Sequence, residues 1–252
     1  MNEIYLHTSL CWVLLGLAVL TACLLSARPA PYGRHDRGGW GPRIPYKLGW
    51  FLMEMPATIA FLIFFTFGSS PKSPISLVFL FLWQTHYLHR TLIFSFRMRP
   101  SKKNVPLLIV FLGFLFNIFN SYLNARWISH FGQYSSEWLV NPFFIIGIAI
   151  FIVGLVLNIH SDSVLFKLRK STDRGYSIPY GGAYRWVSSP NYLGELLEWF
   201  GWALATFSLA GLCFFIYSAG NLVPRAVSNH KWYRRNFDNY PVARKRLIPY
   251  CF

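Results

Sequence analysis

The chain has 252 residues, 54% of them hydrophobic and 19% aromatic, with only 13% charged and a formal net charge of +15. Soluble domains carry charge on roughly a quarter of their residues, so an ordinary water-soluble fold is excluded. A soluble nucleic-acid binder is excluded too, because its basic charge does not come with so much Phe, Trp and Leu.

In chain order, apolar runs of about 17 to 25 residues, enough to cross a bilayer, lie near 8–26, 48–68, 74–96, 105–124 and 141–160. The first has no cationic lead and no small-residue cleavage site, so it reads as a retained helix rather than a signal peptide. Between the first two, 27–47 (ARPAPYGRHDRGGWGPRIPYK) reads as a Gly/Pro/Arg loop. The stretch 191–223 is long enough for two shorter spans with a break near Ser208 to Gly211, which brings the count to seven. Of the 24 Lys and Arg residues, all but Lys72 and Arg126 fall at 28–47, 90–103, 167–185 or from 225 onward. These are the alternate connections and the tail. The positive-inside rule then puts the N-terminus outside or in a lumen and the C-terminus in the cytoplasm. The expected fold is all-α: a polytopic integral membrane protein of seven transmembrane helices, one domain over 1–252, in a bacterial inner membrane or an endoplasmic reticulum. Cys11, Cys23, Cys213 and Cys251 show neither a CxxC pair nor a Cys/His spacing, so no metal site or disulfide framework is implied.

Polar residues inside such spans mark function by default. Only nine residues are acidic, and Glu54, Asp162, Glu195 and Glu198 sit inside or at the edge of predicted helices. Glu54 lies about two turns into the second span. Tyr87 lies in the third, among Gln84, His86, His89 and Arg90. A carboxyl group and a phenol from adjacent helices can together donate hydrogen bonds to one carbonyl oxygen, an oxyanion-type site for a ketone. Further on, Asn158 and Asp162 are four apart on one helical face, which Arg169 continues. Amides and a carboxylate leading into a basic loop suit a nucleotide. His160 is off this stripe and reads as structural. Asn191, Glu195 and Glu198 form a second stripe at i, i+4 and i+7, continued by Trp202, after the start signal Ser188-Ser189-Pro190. The tail adds Arg225, His230 and Tyr233 among further cations, which suits phosphate contacts as well as a membrane surface. No GxGxxG follows a strand and no GxxxxGK[ST] occurs, so a nucleotide site here is neither Rossmann nor P-loop.

The segments PYGRH at 31–35, WFLMEMPA at 50–57, HYLHRT at 86–91, NIHSD at 158–162, LRK at 168–170, YSIPYGG at 176–182, NYLGELLEW at 191–199 and RKRLIP at 244–249 occur in one order over nearly the whole chain. With them the chain resembles the steroid 5α-reductase family, in its type 2 form most closely. That resemblance implies a seven-helix membrane enzyme using NADPH to reduce the double bond conjugated to a 3-ketone. It puts the catalytic and substrate-binding pair on Glu54 and Tyr87. The cofactor contacts fall on Tyr32, Asn158, Asp162, Arg169, Tyr176, Asn191, Glu195, Arg225 and Tyr233. A phosphate-binding arginine falls on Arg99 or Arg97, where the match needs a short gap. Ser228-Asn229-His230 departs from the family's histidine-rich run. The substrate cavity is expected mainly from helices in 1–125 and the cofactor site mainly from 158–252 and the cytoplasmic loops.

The expected reaction is hydride transfer to C5 of a Δ4-3-ketosteroid, with Glu54 and Tyr87 hydrogen-bonding the ketone oxygen and protonation at C4. The expected partners are that steroid or a related lipophilic enone and membrane lipids, with no nucleic acid and no metal, the chain acting as a monomer. Two rivals stay open. A membrane methyltransferase of the isoprenylcysteine kind gives Glu54 and Tyr87 no task and needs no cluster of phosphate-binding arginines. A sterol-binding or transport protein needs an apolar cavity but not Asn158, Asp162 and Arg169.

Overall fold

The computed structural model describes residues 2–70, 72–98, 104–171 and 176–252, the side chains of 169–171 excepted. Among them are seven helices of 15 residues or more: α1 (Glu3–Ala27), α2 (Tyr46–Thr66), α3 (Pro74–Leu88), α4 (Leu107–Arg126), α5 (Pro142–Ser171), α6 (Pro190–Thr206) and α7 (Leu209–Asn236). α3 runs on through a π-helical turn, His89–Phe94, and a last turn, Ser95–Arg97, while α4 runs on through a π-helical turn, Trp127–Phe131. Four helices are long and apolar enough to cross a membrane: α1, α2, α4 with its extension, and α5. The division of the last apolar stretch falls at Phe207, whose φ of 44° lies in the left-handed region. Ser208 then starts α7, its hydroxyl accepting the Gly211 N–H at 2.9 Å.

The expectation of an all-helical chain with a bare loop at 27–47 is corrected in one place. Arg43–Pro45 (β1) pairs antiparallel with Asn104–Pro106 (β2), Ile44 opposite Val105. Both strands end in a proline, which disfavours helix for the residue before it. Each proline also caps the helix that follows, Pro45 for α2 and Pro106 for α4. The pairing joins segments some sixty residues apart, so no local pattern announces it.

Contacts gather the chain into two units: Met1–Trp12, Ala30–Ile145 and Thr206–Gly211 form the first, and Val13–Pro29, Ile146–Ala205 and Leu212–Phe252 the second. In the first unit α2 is the hub. Along α4, Asn117 donates to the Met53 carbonyl at 2.7 Å and Ser121 to that of Ala57 at 3.4 Å. Along α3, the Trp83 indole donates to the Ala57 carbonyl at 2.9 Å and stacks on Phe61 at 4.4 Å. At the far ends of these helices lie the two cations that break the charge rule, and both are accounted for. Arg126 clasps Glu3 through two hydrogen bonds, 2.9 and 2.8 Å, and donates to the Phe67 carbonyl at 3.0 Å. Lys72 donates to the Phe65 and Gly68 carbonyls at 2.8 and 3.0 Å.

In the second unit α5 and α6 run antiparallel with their backbones touching. Gly147 and Gly154 on α5 are seven residues apart, as are Gly194 and Gly201 on α6. A Cβ built on Gly154 would lie 2.5 Å from the Glu198 nitrogen. One on Gly194 would lie 2.5 Å from the Asn158 nitrogen, and one on Gly201 2.5 Å from the Phe151 nitrogen. Small residues allow such approach, which van der Waals packing rewards in an apolar setting. Continued by one turn, this seam delivers Asn158 and Asp162 to Asn191.

Candidate active site

In the first unit, α3 docks on α2 by a repeating set of contacts. Trp83 meets Ala57, Gln84 donates to the Thr58 carbonyl at 3.1 Å, and two turns on Arg90 reaches Glu54 at 3.5 Å. Tyr87 lies between Trp83 and Arg90 on the same helical stripe, so it too faces the α2 seam. It is buried, with its ring 4.8 Å from that of Trp83. Glu54 is not in a purely apolar setting: its partner is a guanidinium that itself lies over the Trp50 and Phe94 rings at 4.9 and 4.3 Å. The sequence places Arg90 near Tyr87 but gives no sign that it reaches Glu54. The π-helical turn that begins at His89 sits next to these groups. π-turns are often found at functional sites, and here the Ser95 hydroxyl donates to the Arg90 carbonyl at 3.2 Å.

In the second unit, Asn158 donates to the Asn191 carbonyl at 3.0 Å, and the Asn191 amide donates to Asp162 at 3.1 Å. Asn158, Asn191 and Asp162 thus form one hydrogen-bonded chain across α5 and α6. Asn158 and Asp162 are buried, Asn191 and Glu195 half-buried, and Glu198 and Trp202 fully buried. His160 is exposed, its ring beside Gly182.

Tyr233 is buried and stacks almost parallel on Tyr240, centroids 5.3 Å apart. Tyr176 meets Trp232 edge-on at 5.1 Å. Arg225 donates to Asn221 at 3.2 Å and lies over the Tyr192 ring at 5.4 Å. Next to this aromatic group the Ser188 hydroxyl joins three partners: His230 at 2.6 Å, Tyr240 at 2.6 Å and the Lys245 carbonyl at 3.0 Å. His230, beyond the apolar stretch of α7, has its pKa lowered to about 4 by burial and by Arg234, Arg246 and Arg244. That gives the last residue of Ser228-Asn229-His230 a structural role, tying the tail to the start of α6. Tyr32, in the first unit, is half-buried ahead of a tight turn at Gly33–His35. Arg99 and the side chain of Arg169 lie outside the described residues.

A nicotinamide dinucleotide suits what the second unit presents. Asn158 Oδ1 is buried and has no hydrogen-bond partner among the described residues, beside the amide and carboxylate of the chain just described. An unmet buried acceptor is costly unless something supplies a donor, and a carboxamide N–H or a hydroxyl is a donor of the right kind. Sequence reasoning missed the glycine seam that positions this acceptor, although the paired seven-residue spacings were there to be read.

Comparison with known proteins shows which family the chain is similar to. Residues 103–252 match the family described as 3-oxo-5-alpha-steroid 4-dehydrogenase. The chain is 43% identical to steroid 5-alpha-reductase DET2 of Arabidopsis thaliana, over 92% of this chain and 91% of that protein. It is 40% identical to 3-oxo-5-alpha-steroid 4-dehydrogenase 1 of Rattus norvegicus, over 88% and 86%. The Homo sapiens protein of that name is 39% identical, over 88% and 86%.

Proposed function

The chain belongs to the 3-oxo-5-alpha-steroid 4-dehydrogenase family, and on that basis we propose that it reduces the C4–C5 double bond of Δ4-3-ketosteroids to 5α-dihydrosteroids with NADPH. The observation that carries this reading is the α2–α3 seam, where Glu54 and Tyr87 lie on facing stripes of two apolar helices. NADPH, when bound, supplies a hydride to C5, and Asn158, Asp162, Asn191, Glu195, Tyr176, Arg225 and Tyr233, with Tyr32, Arg99 and Arg169, are the residues we assign to holding it. As the double bond is reduced, negative charge grows on the ketone oxygen. Tyr87 donates its hydroxyl in a hydrogen bond to that oxygen; Glu54 is the second donor only once protonated, since a carboxylate paired with Arg90 has no proton to give. Arg90, 3.5 Å from Glu54, fixes the carboxyl against α3 and adds positive charge on the side where the negative charge develops. The product is completed by a proton taken up from water at C4, so that one hydride and one proton are consumed per double bond.

The rest of the reading follows. The seven helices supply seven spans, the last ending near residue 223, with the N-terminus outside or lumenal and the C-terminus cytoplasmic, in a bacterial inner membrane or an endoplasmic reticulum. All 252 residues form one membrane-embedded catalytic domain acting as a monomer on a lipid-borne substrate. The test is steroid-dependent NADPH oxidation by detergent-purified protein, with the product identified by mass and by comparison with 5α- and 5β-standards. A 5α-dihydro product that disappears in Glu54→Gln and Tyr87→Phe supports the assignment. A folded protein that fails to bind NADPH defeats it.

A further inference from the structure

The α2–α3 seam contains two buried polar atoms that the Glu54–Tyr87 reading does not use. Gln84 donates its amide nitrogen to the Thr58 carbonyl at 3.1 Å. Only the nitrogen can donate to a carbonyl, so this bond decides which end of the amide is which. The other end, Oε1, is buried with no hydrogen-bond partner among the described residues, and so is Thr58 Oγ1. Threonine hydroxyls inside helices commonly satisfy themselves on the carbonyl four residues back. Thr8, Thr66 and Thr85 all do so, at 2.9, 2.7 and 2.8 Å. Thr58 does not, although its helix offers the same carbonyl. The bond to Thr58's own carbonyl links the two residues that carry the unmet oxygens. They lie one turn beyond Glu54 on α2 and three residues before Tyr87 on α3.

We propose that Thr58 and Gln84 form a polar notch in the substrate site that receives one O–H group. A hydroxyl that donates to Gln84 Oε1 and accepts from the Thr58 hydroxyl meets both atoms; a C–H meets neither and a ketone only Thr58. One helical turn is about 5.4 Å, so the notch selects among ketosteroids by a hydroxyl about that far from the ketone held at Glu54 and Tyr87. A bound water offers the same chemistry from a second source. The inference rests on Glu54 and Tyr87 being the ketone-binding pair.

The experiment uses the full chain in detergent with NADPH. It compares matched Δ4-3-ketosteroids with and without a single ring hydroxyl, for the unaltered protein, Gln84→Leu and Thr58→Val. The readouts are kcat/KM, steroid Kd by equilibrium binding, the solvent isotope effect on kcat, and melting temperature. The expected result is a preference of about tenfold or more for one hydroxylated member, lost in both variants while Thr58→Ser, which keeps the hydroxyl, retains it. Equal loss of kcat on every steroid with an altered solvent isotope effect supports the notch with water as its occupant. Ratios and turnover unchanged in both variants, at unchanged melting temperature, overturn it. Should either variant fail to fold, Gln84→Met and Thr58→Ala give the same readouts. An unaltered protein that neither binds nor reduces any steroid defeats the functional reading, and the notch with it.

Discussion

The α2–α3 seam and the α5–α6 seam solve the same problem, two apolar helices held in register, by opposite means. Along α2–α3, side chains do the joining: Trp83 and Gln84 donate to backbone carbonyls, and Arg90 pairs with Glu54. Polar atoms are left over in both seams, on Thr58 and Gln84 in this one and on Asn158 in the other. Along α5–α6, glycines bring the backbones themselves together, and the polar residues beyond them form a hydrogen-bonded chain from Asn158 through Asn191 to Asp162. A seam made of side chains can be shaped around different substrates by single substitutions. A seam made of backbone fixes its polar groups in place and tolerates little change, which suits recognition of one invariant cofactor.

That contrast can be broken or sharpened by experiment. The largest effect is expected at Tyr87. Tyr87→Phe removes the hydroxyl proposed as a donor to the ketone oxygen and should lower kcat about a hundred- to a thousandfold, about 2.7–4 kcal/mol of barrier, while NADPH affinity is unchanged by equilibrium titration. Next is Gly194→Ala, whose methyl group meets backbone atoms of Asn158 and Gly154. Overpacking of this kind costs about 1–3 kcal/mol, to be read as a lower melting temperature together with weaker NADPH binding. Gly16→Ala, with nothing within 4 Å of its new methyl, is the control and should change neither. Asn191→Leu deprives Asp162 of its donor, and NADPH Kd should rise about tenfold, about 1.4 kcal/mol, with the ketone-site turnover affected less than by Tyr87→Phe.

The smallest effect is a pH dependence at His230. Its folded pKa, about 4, lies below the ordinary 6.5, so the unfolded chain binds the additional proton. The stability tied to neutral His230 is therefore whole above about pH 6.5 and is lost as pH falls toward 4. Melting temperatures between about pH 7 and pH 5 should fall more steeply for the unaltered protein than for His230→Gln, which has no proton to gain there. Equal slopes would remove His230 from the account.

Much of this organisation was legible before any coordinates. Apolar runs locate the seven long helices of the described residues, although only four of these are long and apolar enough to cross a membrane, and the break at Phe207 falls one residue before the expected interval. The stripes that place Asn158 beside Asp162, and Asn191 in line with Glu198, follow from helical periodicity alone. What was not legible depends on contacts between distant segments. The pairing of Arg43–Pro45 with Asn104–Pro106 has no local signal. Nor has the reach of Arg90 to Glu54. The glycines at 147, 154, 194 and 201 were visible, but their meaning appears only when the two helices are laid antiparallel.

The glycine seam has a practical consequence. Its cohesion comes from dispersion between backbones in direct contact, not from the withdrawal of apolar side chains from water. Changing the surrounding amphiphile, from bilayer to one detergent or another, alters the solvation of exposed residues such as Val153 and Val156 on α5 but adds nothing to and takes nothing from the seam itself. The α5–α6 pair should thus be the part of the protein least sensitive to the choice of detergent, and the natural place to attach a reporter that must read the same in every medium.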